Sequence, residues 1–169
     1  DLRLSCSAAG QAWLMTLPED VAIEYVTRQG IGTPRNYGPT APTSVKALLG
    51  VLEVHRKRRF SVIQDAYAPG MSAMAAPIQR TGEPATGVVV IAGPTPRLTI
   101  KRMQEFGGAL LAAADELAVT GNASALLKSW LGEPTAQRGG RRRKFYALRP
   151  AGEAALQQAY RAIVAMGHG

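Results

Sequence analysis

The chain is poor in the residues that most catalytic and metal sites are built from. Its 169 residues hold one cysteine, Cys6, and two histidines, His55 and His168. A lone cysteine excludes an internal disulfide and a cysteine-based metal cluster, and it fits a reducing, cytoplasmic setting. Neither histidine has a Cys, His or carboxylate at metal-ligand spacing, so no metal is expected. Long apolar runs are also missing. The longest, 88–92 and 109–114, fall well short of the roughly 20 residues that span a bilayer, so no membrane partner is expected. No phosphate-binding loop, zinc-protease motif or nucleophile elbow occurs. Cys6, near the start of the first expected helix where thiol pKa values tend to fall, is the one candidate nucleophile. Such a cysteine is more often an inert small hydrophobe. Asp65 as a general base has no acid or metal to work with. These absences predict a protein that is not an enzyme and carries no cofactor.

Acidic residues are scarce in one region only. Residues 1–121 carry 12 Lys and Arg against 10 Asp and Glu, whereas residues 122–169 carry 8 against 2. A nearly neutral body with a basic tail divides the chain into 1–121 and 122–169, the tail suited to a polyanion or to a plain solvated surface.

Ser7 can cap a helix over 8–16, and Pro18 opens a second that reaches about Gln29. In that second helix Val21, Tyr25 and Val26 share a face. After a loop rich in Gly and Pro at 30–42, Thr43 or Ser44 caps a third helix. There Val45, Leu48, Leu49 and Leu52 keep the i, i+3, i+4, i+7 rule, and 55–59 make a charged end. Strands are expected at 60–64, 72–79 and 86–92. Thr81 and Gly82 form the turn of a hairpin, and the third strand is apolar enough to be central and buried on both faces. Thr99 can cap a long helix over 100–119, with Met103, Phe106, Leu110, Ala114 and Leu117 as its buried stripe, ended by Gly121. The order predicts an α+β fold with an antiparallel sheet.

Four blocks carry a resemblance: S-A-A-G-Q-A at 7–12, F-S-V-I-Q-D-A-Y-A-P-G-M at 60–71, A-A-P-I at 75–78 and V-V-V-I-A-G-P-T-P-R-L-T at 88–99. In sequence and spacing they resemble the effector-binding domain of IclR-family bacterial transcription regulators, over about residues 4–119. The resemblance implies a GAF-like fold, a small organic acid as effector and assembly into a homodimer or tetramer. Carried over by position, the effector pocket includes Ala8, Ala9, Gln64, Ala73, Val90 and Ala92. Backbone N–H groups at the start of the helix capped by Ser7 suit a carboxylate, unless the cap itself takes them. Gln64, Ala73, Val90 and Ala92 stand where some members present an acid, a thiol and two hydroxyls. With Met71, Met74 and Trp13 nearby, such a pocket prefers a larger, apolar or aromatic acid. The family's first effector-domain strands and its N-terminal DNA-binding domain find no counterpart, which implies a truncated or hybrid piece.

The tail resembles something else. Strands are expected at 126–130 and 144–148, joined by a Pro/Gly/Arg loop, and 130–156, with G-G-R-R-R-K-F-Y-A-L-R-P-A-G at 139–152, is similar to the wing and following helix of PadR-like winged-helix regulators. In a wing, Arg138, Arg141, Arg142, Arg143 and Lys144 lie along DNA phosphates, a salt-dependent and sequence-independent contact. Phe145 and Tyr146 alternate faces. Pro150 opens a last helix with Ala155, Leu156, Ala159 and Ile163 on one side. The expected function is a ligand-sensing domain of a transcription regulator. The alternative is a nucleic-acid-binding module in which residues 1–121 serve as a dimerising scaffold.

Overall fold

The computed structural model describes residues 3–32, 36–120, 127–131 and 144–148. The chain divides into two compact units, Asp1–Ala118 and Val119–Gly169.

In the first unit the helices come early. α1 (Ala8–Leu14) starts where Ser7 Oγ accepts the N–H of Gly10 at 3.0 Å, as a serine cap should. It ends earlier than the expected Thr16, because Thr16 N–H folds back onto the Trp13 carbonyl. Arg56 donates from Nε to Met15 O and from Nη2 to Leu17 O, taking carbonyls freed just past the helix. α2 (Glu19–Gln29) follows Pro18 and α3 (Val45–Arg58) follows Ser44, whose Oγ accepts the Ala47 N–H. In α2 the buried positions are Ala22 and Val26. Tyr25, expected on the buried face, is 42% exposed and meets Trp13 edge-to-face with centroids 4.9 Å apart. That contact needs only one edge of the phenol ring, and the rest stays wet.

β1 (Ser61–Gln64), β2 (Met71–Ile78) and β3 (Gly87–Pro94) form an antiparallel sheet in the order β1-β2-β3. This corrects the expectation for the third strand. β2, not β3, is central, and Ser72 through Ala76 are all buried. β3 lies at an edge, with Val90 45% exposed. Its apolar run has partners for Val88 on one face and for Val89 and Ile91 on the other, but too few to cover its whole length. α4 (Ile100–Thr120) then crosses the second face, with Thr99 Oγ1 accepting the Arg102 N–H.

Two cores result. One joins α1, α2 and α3 to Ile63, Ala73 and Ala75; the other joins α4 to Phe60, Met74 and Ala76. The layers are therefore helices, sheet, helix. A Cβ at Gly107 would come within 2.5 Å of the Phe60 ring, so this glycine lets α4 sit close to the sheet. Among the described residues no helix is long and apolar enough to cross a membrane. In the second unit, β4 (Leu127–Leu131) and β5 (Lys144–Leu148) pair antiparallel, with Trp130 opposite Phe145. The expected final helix lies outside the described residues.

The outer edge of β1 is closed by side chains. His55 is 3% exposed, not solvated as a charged helix end implies, and its Nε2 accepts the Val62 N–H at 3.3 Å. Burial, and then the charge of Arg58, push its pKa down to about 4. The folded state thus resists a proton that the unfolded chain accepts near pH 6.5. Stability should be fully present above pH 6.5 and fall by about 3 kcal/mol as pH drops towards 4. Urea unfolding between pH 7.5 and 5, before carboxylates titrate, should show this slope and His55→Gln should flatten it. A second expectation concerns Gly38, whose N–H donates to Ala66 O at 3.0 Å. A Cβ there would lie 1.8 Å from the Asp65 carbonyl oxygen. Gly38→Ala should cost about 2–3 kcal/mol by urea unfolding. Gly50→Ala, in open space on α3, should gain up to about 1 kcal/mol.

Candidate functional site

Strand register decides which of the expected site residues can meet. Ser61, Ala75 and Val90 stand opposite one another across the sheet, and so do Ile63, Ala73 and Ala92. Side chains alternate between faces, so these two rows share the face that α1 covers. Ser61 Oγ donates to Ala8 O at 2.7 Å, with Ala75 O a second acceptor within reach at 3.3 Å, which fixes the first turn of α1 over the first row. Ala8, Ala73, Val90 and Ala92 are thereby brought to one surface, with Ala9 half-buried beside it. Ala8 and Ala73 are packed in the core, whereas Val90 and Ala92 are open to solvent. The wall is apolar and open rather than an enclosed cavity.

Two expected members face away. Gln64 pairs with Ser72, and Met74 with Val62 and Ile91, so alternation places both on the α4 face. Met74 is fully buried there beside Met103 and cannot line the same wall as Ala73. Met71 is on the wall's face, half-buried. Gln64 instead lines an open cleft of ≈ 460 Å³ along the outer edge of β1, with Gln11, Thr40, Pro42, Val51 and Ile100 among its neighbours. Gln11 is 1% exposed, donates from Nε2 to Ser5 O at 2.8 Å, and leaves Oε1 without a hydrogen-bond partner. Gln11 lies within the S-A-A-G-Q-A block but was not singled out as a site residue; its further signal is its place three residues after Ala8, on the same side of the helix.

The first turn of α1 is built for close approach. A Cβ at Gly10 would sit 2.5 Å from Leu4 Cα, which explains the glycine of the S-A-A-G-Q-A block. Ser7 Oγ donates to Arg3 O while accepting from Gly10, so the cap takes the third N–H of the turn and not those of Ala8 and Ala9.

The two catalytic candidates have other duties. Cys6 is fully buried, and burial pushes its thiol pKa up, against the expectation that the helix start lowers it. Asp65, in a left-handed conformation with φ 54°, accepts from Gly70 N–H at 2.7 Å and from Thr95 Oγ1 at 3.0 Å. It ties the β1–β2 turn to the segment after β3, and Ser72 Oγ donates to the same Thr95 hydroxyl. Among the described residues no group of His, Cys, Asp or Glu could hold a metal. Arg138, Arg141, Arg142 and Arg143 lie outside the described residues, and Lys144 begins β5.

The first unit is thus a layered α+β domain with a small-residue sheet face under a short capped helix. Residues 1–119 match the family described as bacterial transcriptional regulator IclR C-terminal, and the chain belongs to that family. It is 29% identical over 116 residues to the transcriptional repressor IclR of Escherichia coli, a match covering 69% of this chain and 41% of that protein. The chain thus spans about two-fifths of the length of such a relative. The C-terminal domain of the E. coli regulator KdgR superposes with a TM-score of 0.60 at 22% identity, covering 69% of each chain. The inducer-binding domain of the PobR transcription factor from Acinetobacter, a double mutant in complex with 3-hydroxybenzoic acid, gives 0.61 at 19% identity, covering 69% of this chain and 66% of that one.

The Asp65 network should matter for stability alone. Asp65→Ala loses both acceptor bonds and the residue type that tolerates a left-handed backbone, and should cost about 2–3 kcal/mol in urea unfolding. Asp65→Asn keeps one acceptor and should cost less than half as much.

Proposed function

We propose that residues 1–119 sense a small organic acid and pass its binding on to DNA-binding units of the same assembly, a homodimer or tetramer in the cytoplasm. The observation that carries this is the pair of rows Ser61–Ala75–Val90 and Ile63–Ala73–Ala92 beneath the first turn of α1. The Ala8 and Ala9 N–H groups are the polar anchor for the carboxylate, and the rows receive the rest of the ligand. Val90 and Ala92 offer methyl groups and no hydroxyls, so an aromatic or other apolar acid is favoured over a two-carbon one. The 3-hydroxybenzoic acid bound by PobR belongs to that chemical class. Gln64, on the opposite face, lies apart from this wall at the β1 edge. Effector binding shifts the population between packings of α1 on the sheet, and so the geometry of attached units.

A second role is favoured by the β4–β5 pairing, in which Leu131 opposes Lys144. We propose that Arg138, Arg141, Arg142 and Arg143, which lie between these strands in sequence, contact DNA phosphates. The corresponding division of labour is a sensing part, 1–121, and a basic part, 122–169.

Thermal unfolding of the chain in a panel of carboxylic acids tests the sensor. Benzoate or 3-hydroxybenzoate should raise Tm in a saturable way and acetate should not, because a ligand that binds only the folded state stabilises it. Val90→Glu, at an exposed site, should leave Tm without ligand nearly unchanged and abolish the benzoate shift. No shift with any acid counts against the sensing role.

A further inference from the structure

At the far end of α1 from the effector wall lies a second cleft, ≈ 420 Å³, between the C-terminal ends of α1 and α3, the β2–β3 turn and α4. Its polar lining is Arg56, Arg59, Arg80, Gln79, Thr16 and Thr81, with Asp115 as its single acidic residue. Three guanidiniums against one carboxylate leave an excess of positive charge. The arginines are held in place by partners that neutralise little of it. Arg56 is fixed by the carbonyls of Met15 and Leu17, and Arg80 by Nε donation to Ala118 O at 2.9 Å. A carbonyl orients a guanidinium but does not cancel its charge, and each fork keeps further N–H groups for another acceptor. Arg59 meets Asp115 at 3.2 Å, with both side chains more than half exposed, an ion pair of the weak, exchangeable kind.

Arg59 carries a second signal. It ends α3 in a left-handed conformation, φ 67°, a position usually given to glycine because other residues adopt it at a cost. The cleft rim at Gly82, φ 80°, keeps the glycine that such a backbone favours. Keeping an arginine where glycine would be easier makes sense when its charge is used.

We propose that this cleft is an oxyanion site for a small phosphate-bearing metabolite, separate from the effector wall. The three arginines recognise the phosphate, with planar forks matched to its oxygens, and Gln79 and Thr16 supply uncharged donors at its rim. Asp115 holds Arg59 until the anion replaces it. Both helix C-termini here bear partial negative charge, and Arg56 offsets that of α1 by occupying its free carbonyls.

Titration of the whole chain with inorganic phosphate, at constant ionic strength set with chloride, tests the proposal by calorimetry and by 31P line broadening. Saturable binding is expected. Arg80→Gln and Arg59→Gln should each weaken it about tenfold, as loss of one charge-assisted contact implies. Asp115→Asn should tighten it severalfold by removing the competing carboxylate. Lys57→Gln changes net charge equally, but Lys57 pairs with Glu53 on the exposed side of α3 and should leave affinity unchanged. Circular dichroism checks that each variant is folded, and Asp115→Asn decides the question even if an arginine variant does not fold. Unsaturable uptake, equal weakening by Lys57→Gln, or weaker binding to Asp115→Asn would overturn the site and leave the arginines as carbonyl caps. None of these outcomes bears on the acid panel, so the two sites stand or fall separately.

Discussion

β2 has to be thin. It runs Met-Ser-Ala-Met-Ala-Ala-Pro-Ile, and α1 approaches one of its faces while α4 covers the other. Ala73 and Ala75 let α1 come down until Ser61 Oγ can reach both the Ala8 and Ala75 carbonyls. Met74 and Ala76 face the other way, where Met74 fills the larger gap to Met103 and Leu110. A bulky residue at Ala73 or Ala75 would lift α1 and break the bridge through Ser61, because a packed core has no spare volume to receive it.

At the other end of β1 the structure depends on a second tight contact. Gly38 passes against the Asp65 carbonyl, Thr40 Oγ1 donates to Gln64 O, and Asp65 gathers Gly70 and Thr95. These bonds occupy an edge that His55 covers farther back by accepting the Val62 N–H. β1 thus avoids the exposed row of backbone groups that makes edge strands sticky. β3 has no comparable cover among the described residues. Both its apolar sequence and its exposed Val90 belong to a strand with a free edge.

The helices were legible because their signals are local. Ser7, Ser44 and Thr99 each accept a backbone N–H three residues on, as their positions before apolar periodicity suggested. The stripe of α3 emerged as read, with Leu48 and Leu52 buried, and continued to His55, which composition alone assigned to a charged end. The strand positions were legible too, but not their order. Five apolar residues at 88–92 give the same pattern whether neighbours cover them or not, and only pairing shows that β2 is central. Of the proposed site, Ala8, Ala73, Val90 and Ala92 converge, since alternation and register preserve their common face. Gln64 and Met74 do not, because a one-residue step along a strand reverses the side chain. The arginine cleft was invisible in the sequence. Its members come from four distant segments, and 55–59 read simply as a charged helix end.

The two clefts and the wall also constrain how sensing can work. α1 is seven residues long, and its ends are held differently: its start by Ser61 and the Ser7 cap, its exit by Arg56 from α3. In the proposed reading, a ligand anchored on Ala8 and Ala9 acts at the start, whereas an anion drawing on Arg56 acts at the exit. On that reading each ligand therefore acts on the same element, and a tilt favoured by one changes the work done by the other. Such coupling requires no path through the sheet. It needs only that α1 have two packings on Ala73 and Ala75.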